Sequence, residues 1–369
     1  MRILIAPDKF KHSLGAKEVA EHIAAGLRDE LPKAEITLLP IADGGEGFAS
    51  VICQAASGEW HECYVHDPHG RMVRARYGVI RNGTTAVMEM SEASGLWRLS
   101  PNERNPLKTT SFGTGEMLRD AARRGMKEII MGLGGSATND GGFGVARALG
   151  YRFFANDNEV VAVADLRRLT RIKKPDSLGI PRITIASDVQ NPLLGSQGAT
   201  CVFGPQKGAS AEQLAVLEGC LTRLADVVAQ QLKIDVRNIA GAGAAGGLGF
   251  GLMSFCGARL RPGFKVVAEA IGLEAKIAHV DVVITGEGSL DAQTLSGKAP
   301  AGVASLARKL GKPVYAIVGR ASDDRSAHEI FSDVYTLTRA GMSDEESMKR
   351  APELLHESAR ELAKQIRAA

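Results

Sequence analysis

The 369-residue chain predicts an α/β protein of two domains, on three observations. Short apolar runs of strand type alternate with amphipathic helical segments near both ends, the pattern of a parallel sheet covered on both faces. Between them the residues alternate apolar and polar around hairpin turns, which reads as a small antiparallel unit. The length is comfortable for two domains and long for one.

The elements follow in order. Residues 2–6 are a short apolar run, in type a buried parallel strand. Val19, Ile23, Leu27 and Leu31 recur every four residues and mark a helix over 16–31, with Gly15 and Glu18 as a weak capping box. A second strand is expected over 36–41 and a second helix from Phe48 to Ala56. From Glu59 to Met90 the pattern alternates, with turns at Asp67-Pro-His-Gly70 and at Asn82-Gly83, the latter favouring a type I′ loop. Helix and strand resume from Thr114 to Gly150, including the strand 128–131 and a helix over Val145–Leu149, and a strand follows at Ile183–Ser187. Helices are expected over Ala211–Leu232 and Gly247–Phe255. The parallel pattern returns with strands at Asp281–Thr285, Val314–Val318 and Val334–Thr338, a helix near Ala301–Lys309, and a charged amphipathic helix at the end. These elements suggest one domain built from 1–60 and 281–369, with a second inserted over 61–280; contiguous domains split near residue 150 are the alternative.

Composition narrows the function classes. With 45 basic and 42 acidic residues the formal charge is only +3, and no basic stripe is interleaved with aromatics, so no nucleic-acid partner is expected. Cys53, Cys63, Cys201, Cys220 and Cys256 show neither CxxC nor metal-ligand spacing, which suggests reduced thiols and a cytoplasmic location. The apolar start is too short for an export signal, and no segment approaches 18 uninterrupted apolar residues. No membrane partner is expected. The oligomeric state stays open, a homodimer included.

The chemistry gathers in glycine-rich loops. Gly132-Leu-Gly-Gly-Ser-Ala-Thr-Asn-Asp-Gly-Gly-Phe-Gly144 runs from a strand to a helix, where free amides and short hydroxyls suit a phosphate. Its start also fits GxGxxA with Asp157 about 20 residues on, which keeps a NAD-dependent hydroxy-acid dehydrogenase in play. Against that rival, the carboxylate of Asp140 would face a pyrophosphate. Gly241–Gly249 matches GxGxxG, but Ile234–Ile239 ahead of it is a poor strand. No Walker A sequence occurs, which excludes an ordinary P-loop NTPase, and no GxSxG elbow occurs.

In an open α/β sheet ligands sit beyond the carboxyl ends of the strands. Three such ends carry Asp8–Ser13, Asp43–Gly47 and Gly286–Asp291, each combining an acid with glycines or lysines. Asp188 and Asn191 follow another strand and offer oxygen ligands suited to Mg²⁺. Gln206 and Lys207 stand on a turn. His66 and His69 flank a hairpin turn, and His12 is the histidine nearest the expected site.

Taken together, these segments resemble the glycerate kinase family, in its bacterial type that lacks a Walker motif. The resemblance covers nearly the whole chain through eight ordered segments: Ala6–Lys11 with Ser13-Leu14, Ala42–Gly47, Gly134–Gly142, Asp188–Gly195, Phe203–Ala209, Gly241–Gly249, Ile284–Gly288 and Gly297–Pro300. Three positions depart from it. His12 stands where glycine is common, Gly15 where a serine or threonine usually starts the helix, and Ser289 where the residue is usually basic. Lys298 is the expected compensating cation.

The resemblance implies ATP-dependent phosphorylation of D-glycerate, most often at the 2-hydroxyl, with Mg²⁺, in organic-acid catabolism. A 3-phosphoglycerate-forming enzyme is the alternative within the family, and a non-catalytic sugar-acid sensor the alternative outside it. It implies a Rossmann- or flavodoxin-like parallel-sheet domain with a mixed α/β domain inserted, and the active site between them. Gly134, Gly135, Ser136, Thr138, Asn139 and Asp140, with Gly241, Gly243, Gly246 and Gly247, are then expected to cradle the nucleotide phosphates. Asp188 is the expected base, helped by Lys9, Lys11 and Asp43, with Asp188 and Asp291 as the metal-facing carboxylates. Ser13, Glu46, Asn191, Gln206, Lys207, Glu287, Asp291 and Lys298 are expected around the substrate.

Overall fold

Ile3, Leu4 and Ile5 are fully buried because β1 (Arg2–Ile5) has a parallel neighbour on each side. A strand covered on both faces has no side to leave polar, and the unbroken apolar run is the result. The computed structural model describes every residue except Asp43, Glu46, 291–297, 323–328, Ala340 and Ala369. The helix Ala16–Glu30 follows β1, started by Glu18 Oε2 accepting from Gly15 N at 2.8 Å. It leads to β2 (Glu35–Leu38), which pairs with β1.

The chain then leaves this unit. The described residues form two compact units, Met1–Asp43 with Phe264–Ala369, and Gly44–Gly263. The helix Phe48–Ala55 therefore belongs to the second unit, whereas its sequence position had suggested the first. Its apolar face packs on the strands of the second unit, and a single helix pattern cannot say which sheet it will cover.

In the second unit β3 (Glu59–His66), β4 (Met72–Ile80) and β5 (Thr85–Glu89) form an antiparallel meander. The 67–71 turn is tied by the buried Asp67 carboxylate, which accepts from His69 N at 2.8 Å and Arg71 N at 2.9 Å. The next connection corrects the expected two-residue loop. Ile80 pairs with Thr85, so four residues intervene, with Arg81, Asn82 and Gly83 all at positive φ. Asn82-Gly83 still supplies the backbone freedom.

From β5 the sheet turns parallel through β6 (Glu128–Gly132), and a second small sheet follows: β7 (Arg152–Ala155), β8 (Asn158–Glu159) and β9 (Arg171–Lys173). That three-stranded sheet was not anticipated, its strands being too short for a periodicity signal. β10 (Arg182–Ala186) and β11 (Arg259–Arg261) complete the main sheet, in the order β11-β10-β6-β5-β4-β3. The helix Ala211–Leu232 buries Leu217, Leu221, Leu224 and Val228, and Ser210 caps it with its hydroxyl. The helix at Ala244–Cys256 is regular only after a kink, Ala245, Gly246 and Gly247 all having positive φ.

The first unit resumes with β12 (Val282–Thr285), β13 (Ser289–Leu290), β14 (Val314–Val318), β15 (Arg320–Ala321) and β16 (Asp333–Thr336). Its five-stranded sheet, β16-β14-β12-β1-β2, is parallel throughout. The terminal helix Ala351–Ala368 packs against Ala16–Glu30, joining Leu354, Leu355 and Leu362 to Val19, Ile23 and Leu27 in one core. Among the described residues no helix is long and apolar enough to cross a membrane.

Candidate functional site

In the first unit β2 lies on one side of β1 and β12 on the other. Loops leaving neighbouring strands in opposite directions open a crevice at their carboxyl ends. A cavity of about 610 Å³ lies there, with Lys9, Lys11, Lys298 and Arg320 and the acids Asp8, Glu287 and Asp344 in its wall. The walls are stitched by backbone: Asp8 N donates to Gly286 O at 2.8 Å, and Gly319 N to Glu287 O at 3.0 Å. Asp8 Oδ1 accepts from Lys9 N at 2.6 Å. Glu287 is only 8% exposed, and Lys298 Nζ stands 3.9 Å from its Oε2, which offsets part of the cost of burying the charge.

Five residues singled out from sequence meet here: Lys9, Lys11, Ser13, Glu287 and Lys298. Ser13 has another occupation, its hydroxyl donating to Met348 O at 2.8 Å, so its placement supports holding the cavity wall rather than a ligand. Asp43, Glu46 and Asp291 lie outside the described residues. His12 sits at φ +67°, which accounts for glycine suiting this position. Replacing His12 by Gly is expected to be neutral or to stabilise by up to about 1 kcal/mol, as left-handed strain is relieved against a more flexible unfolded chain. Thermal melting checks this, and a clear loss of stability would mean the imidazole makes a contact worth more than the strain.

The remaining candidates lie in the second unit, on loops leaving β6 and β10, which are neighbours. The amides at the start of the helix Phe143–Ala148 were expected to face a phosphate. Instead the protein's own carboxylate takes them. Asp140, fully buried, accepts from Gly142 N at 3.0 Å, Gly144 N at 3.1 Å, and Ser111 N and Oγ at 2.8 Å each. The Ser111 hydroxyl in turn accepts from Val145 N at 3.1 Å. Asp140 is thus an internal anion at that helix end, a placement that supports holding the loop in shape. Burial pushes its pKa up, opposed by these same hydrogen bonds.

Several of the glycines serve packing. Gly141 N donates to Gly246 O at 3.0 Å, and a Cβ on Gly246 would stand 2.0 Å from Thr138 O. The two glycine loops therefore interlock, and neither tolerates a side chain at that crossing. Lys207, expected at the substrate, is buried beneath them and donates from Nζ to Thr138 O at 2.7 Å. Burial lowers its pKa to about 7, the nearby Asp140 acting the other way. Its placement supports a role in bracing the loop. Gln206 next to it is exposed.

What the loop retains for a ligand is specific. Thr138 Oγ1 and Asn139 Oδ1 are buried and have no hydrogen-bond partner among the described residues, while Asn139 Nδ2 is fixed to Thr200 Oγ1 at 3.0 Å. Gly135, at φ +72°, is the exposed point of the loop, and Leu96 N holds its carbonyl at 2.8 Å. Ser136 pairs with Gly95. The third loop joins them: Gly243 N donates to Asn191 O at 2.9 Å, and Asn191 Nδ2 to Gln197 O at 2.7 Å. Asp188, half-buried at the end of β10, has Oδ1 oriented by Gly263 N at 2.8 Å.

Other candidates resolve as structural. His66 Nδ1 lies 2.9 Å from Glu116, and His69 Nε2 2.9 Å from Glu103 O, which explains both by the hairpin. All five cysteines are free thiols, and burial pushes Cys63 and Cys256 up to about 12, which leaves them poor nucleophiles. Ser111 and Arg320 escaped the sequence reading. Ser111 belongs to no motif, whereas Arg320 lies two residues past the end of β14 and could have been found by that rule.

Parallel strands ending in glycine-built and charged loops, with no Walker A sequence, define an α/β protein outside the P-loop class. Comparison with known proteins makes the class particular. The profile described as the glycerate kinase family matches residues 3–367. The glycerate 2-kinase of Escherichia coli K12 is 44% identical over 356 residues, covering 94% of this chain and 93% of that one. The glycerate kinase of Bacillus subtilis 168 is 41% identical, covering 100% and 98%. A crystal structure from Salmonella typhimurium LT2, of a protein named as glycerate kinase 2, superposes with a TM-score of 0.87 at 43% identity, covering 100% of this chain and 98% of that one. The chain belongs to the glycerate kinase family.

Proposed function

We propose that the chain transfers the γ-phosphoryl group of ATP to the 2-hydroxyl of D-glycerate, giving 2-phosphoglycerate and ADP. The observation that carries this reading is the charged cavity beyond β1 and β12, in a chain matched to the family from end to end. Its size suits a small molecule, and its lysines and arginine suit an anion. The transfer makes a bond from the glycerate oxygen to the γ-phosphorus and breaks the bond to the β,γ-bridging oxygen, which leaves with ADP. The hydroxyl proton goes to the Asp188 carboxylate, whose orientation by Gly263 N favours one fixed direction of approach. Lys9 and Lys11 supply positive charge for the carboxylate and the transferring phosphoryl. Thr138 Oγ1 offers a hydroxyl to a phosphate oxygen, and Asn139 Oδ1 an acceptor.

Asp188 would face a Mg²⁺ ion brought with the nucleotide, which would supply screening of the phosphate charges. The described residues contain no cluster of three or more His, Cys, Asp or Glu able to hold an ion. Asp188 is the described carboxylate assigned to it. The free thiols fit work in the reducing cytoplasm.

A coupled assay for ADP, omitting each component in turn, tests the function. Release only when glycerate, ATP and Mg²⁺ are all present is expected. Nicotinamide reduction by a hydroxy acid without ATP, or glycerate binding without turnover, would overturn it. Phosphorus NMR of the product distinguishes the 2- from the 3-phosphate.

A further inference from the structure

Ser289 is where a cation was expected, and Lys298 was the expected substitute. Lys298 lines the same cavity and stands beside Glu287. The group at Ser289 is Arg320. β13 and β15 pair in parallel with Ser289 opposite Arg320, and Arg320 N donates to Gly288 O at 3.2 Å. The Arg320 Nε donates to Ser289 Oγ at 3.2 Å, and Nη1 to Asp344 Oδ2 at 2.9 Å. Ser289, Arg320 and Asp344 all line the cavity.

We infer that Arg320 binds the carboxylate of the acceptor substrate, with Ser289 and Asp344 positioning its guanidinium. This rests on the function proposed above. The ion pair with Asp344 is exposed on both sides, its side chains 60% and 61% accessible, so it adds little to stability. What it does is restrict the rotamers of a long side chain. The contacts to Ser289 and Asp344 engage Nε and Nη1 of a planar group that carries five N–H donors. Such a fork matches a carboxylate in a way that a lysine ammonium does not. The short side chain at 289 is part of the device, since a long cationic one there would compete for the space of the guanidinium.

The test is steady-state kinetics of the full chain, varying glycerate and ATP separately, on Arg320→Ser and on the exchange variant Ser289→Arg/Arg320→Ser. The single variant is expected to raise the KM for glycerate about tenfold or more, as loss of a charge-assisted hydrogen bond predicts. The KM for ATP and the melting temperature should hold. The exchange variant should recover most of the lost affinity, which a merely structural arginine would not allow. An unchanged glycerate KM in Arg320→Ser, a fall in kcat with KM unchanged, or no recovery in the exchange variant each overturns the inference. Wild-type protein that releases no ADP with glycerate overturns the proposed function and this inference together; wild-type activity with an indifferent Arg320→Ser overturns this inference alone.

Discussion

Replacing Asp188 by Asn should lower turnover by about 10²–10⁴, the usual range for losing a general base. Asparagine keeps an oxygen that can accept from Gly263 N, as Asp188 Oδ1 does at 2.8 Å, so the loop after β10 should hold its shape. The loss should therefore fall on kcat with the melting temperature near wild type. Thermal melting and initial rates at saturating glycerate and ATP read the two quantities separately. Turnover near wild type would remove Asp188 from the base role, and equal losses of activity and stability would make it a loop anchor.

Replacing Asp140 by Ala should have the opposite profile, a large loss of stability. Four donor groups converge on this carboxylate inside the second unit, from Ser111, Gly142 and Gly144. Removing it leaves buried N–H and O–H groups with no acceptor, at a cost of about 3–5 kcal/mol for breaking such a charged network. Asp140→Asn keeps one acceptor oxygen but turns an NH₂ toward N–H donors, so it should lie between Ala and wild type. Equilibrium urea unfolding followed by circular dichroism measures the order. If Asp140→Ala unfolds at the wild-type urea concentration while losing nucleotide affinity, the carboxylate belongs to the ligand after all.

These two acids show what the residue pattern conceals. They follow neighbouring parallel strands of one sheet, and both stand near small polar residues and glycines. From sequence each was given a ligand-facing role, Asp140 at the nucleotide and Asp188 as base and metal-facing carboxylate. The distinction came from Ser111, 29 positions before Asp140, whose amide and hydroxyl turn inward to it. No local rule points from a serine at a helix start to a carboxylate on another loop. Lys207 is similar: its turn was legible, but its ammonium bonding Thr138 O, 69 positions away, was not. The glycines at 241–247 were read as open backbone for a ligand, and Gly246 proves to be the crossing point of two loops.

The cavity of the first unit was the more legible half. Strands of apolar run type, their alternation with helices, and acids and lysines at the strand ends led to Lys9, Lys11 and Glu287 by a topological rule, and the family resemblance added Lys298. Arg320 satisfied the same rule and was missed because its segment carried no family signature.

The sequence by itself determined the α/β class, the parallel strands and their main helices, and the kinship with glycerate kinases, because apolar periodicity and ordered motifs are local properties of the chain. The junctions at 43/44 and 263/264, the sheet that Phe48–Ala55 covers, and which polar group faces its own protein rather than a ligand were decided by tertiary structure. Those depend on contacts between segments tens to hundreds of residues apart. Burial of a carboxylate or an ammonium is set by what packs over it, and the residues that do so need no particular spacing in the chain.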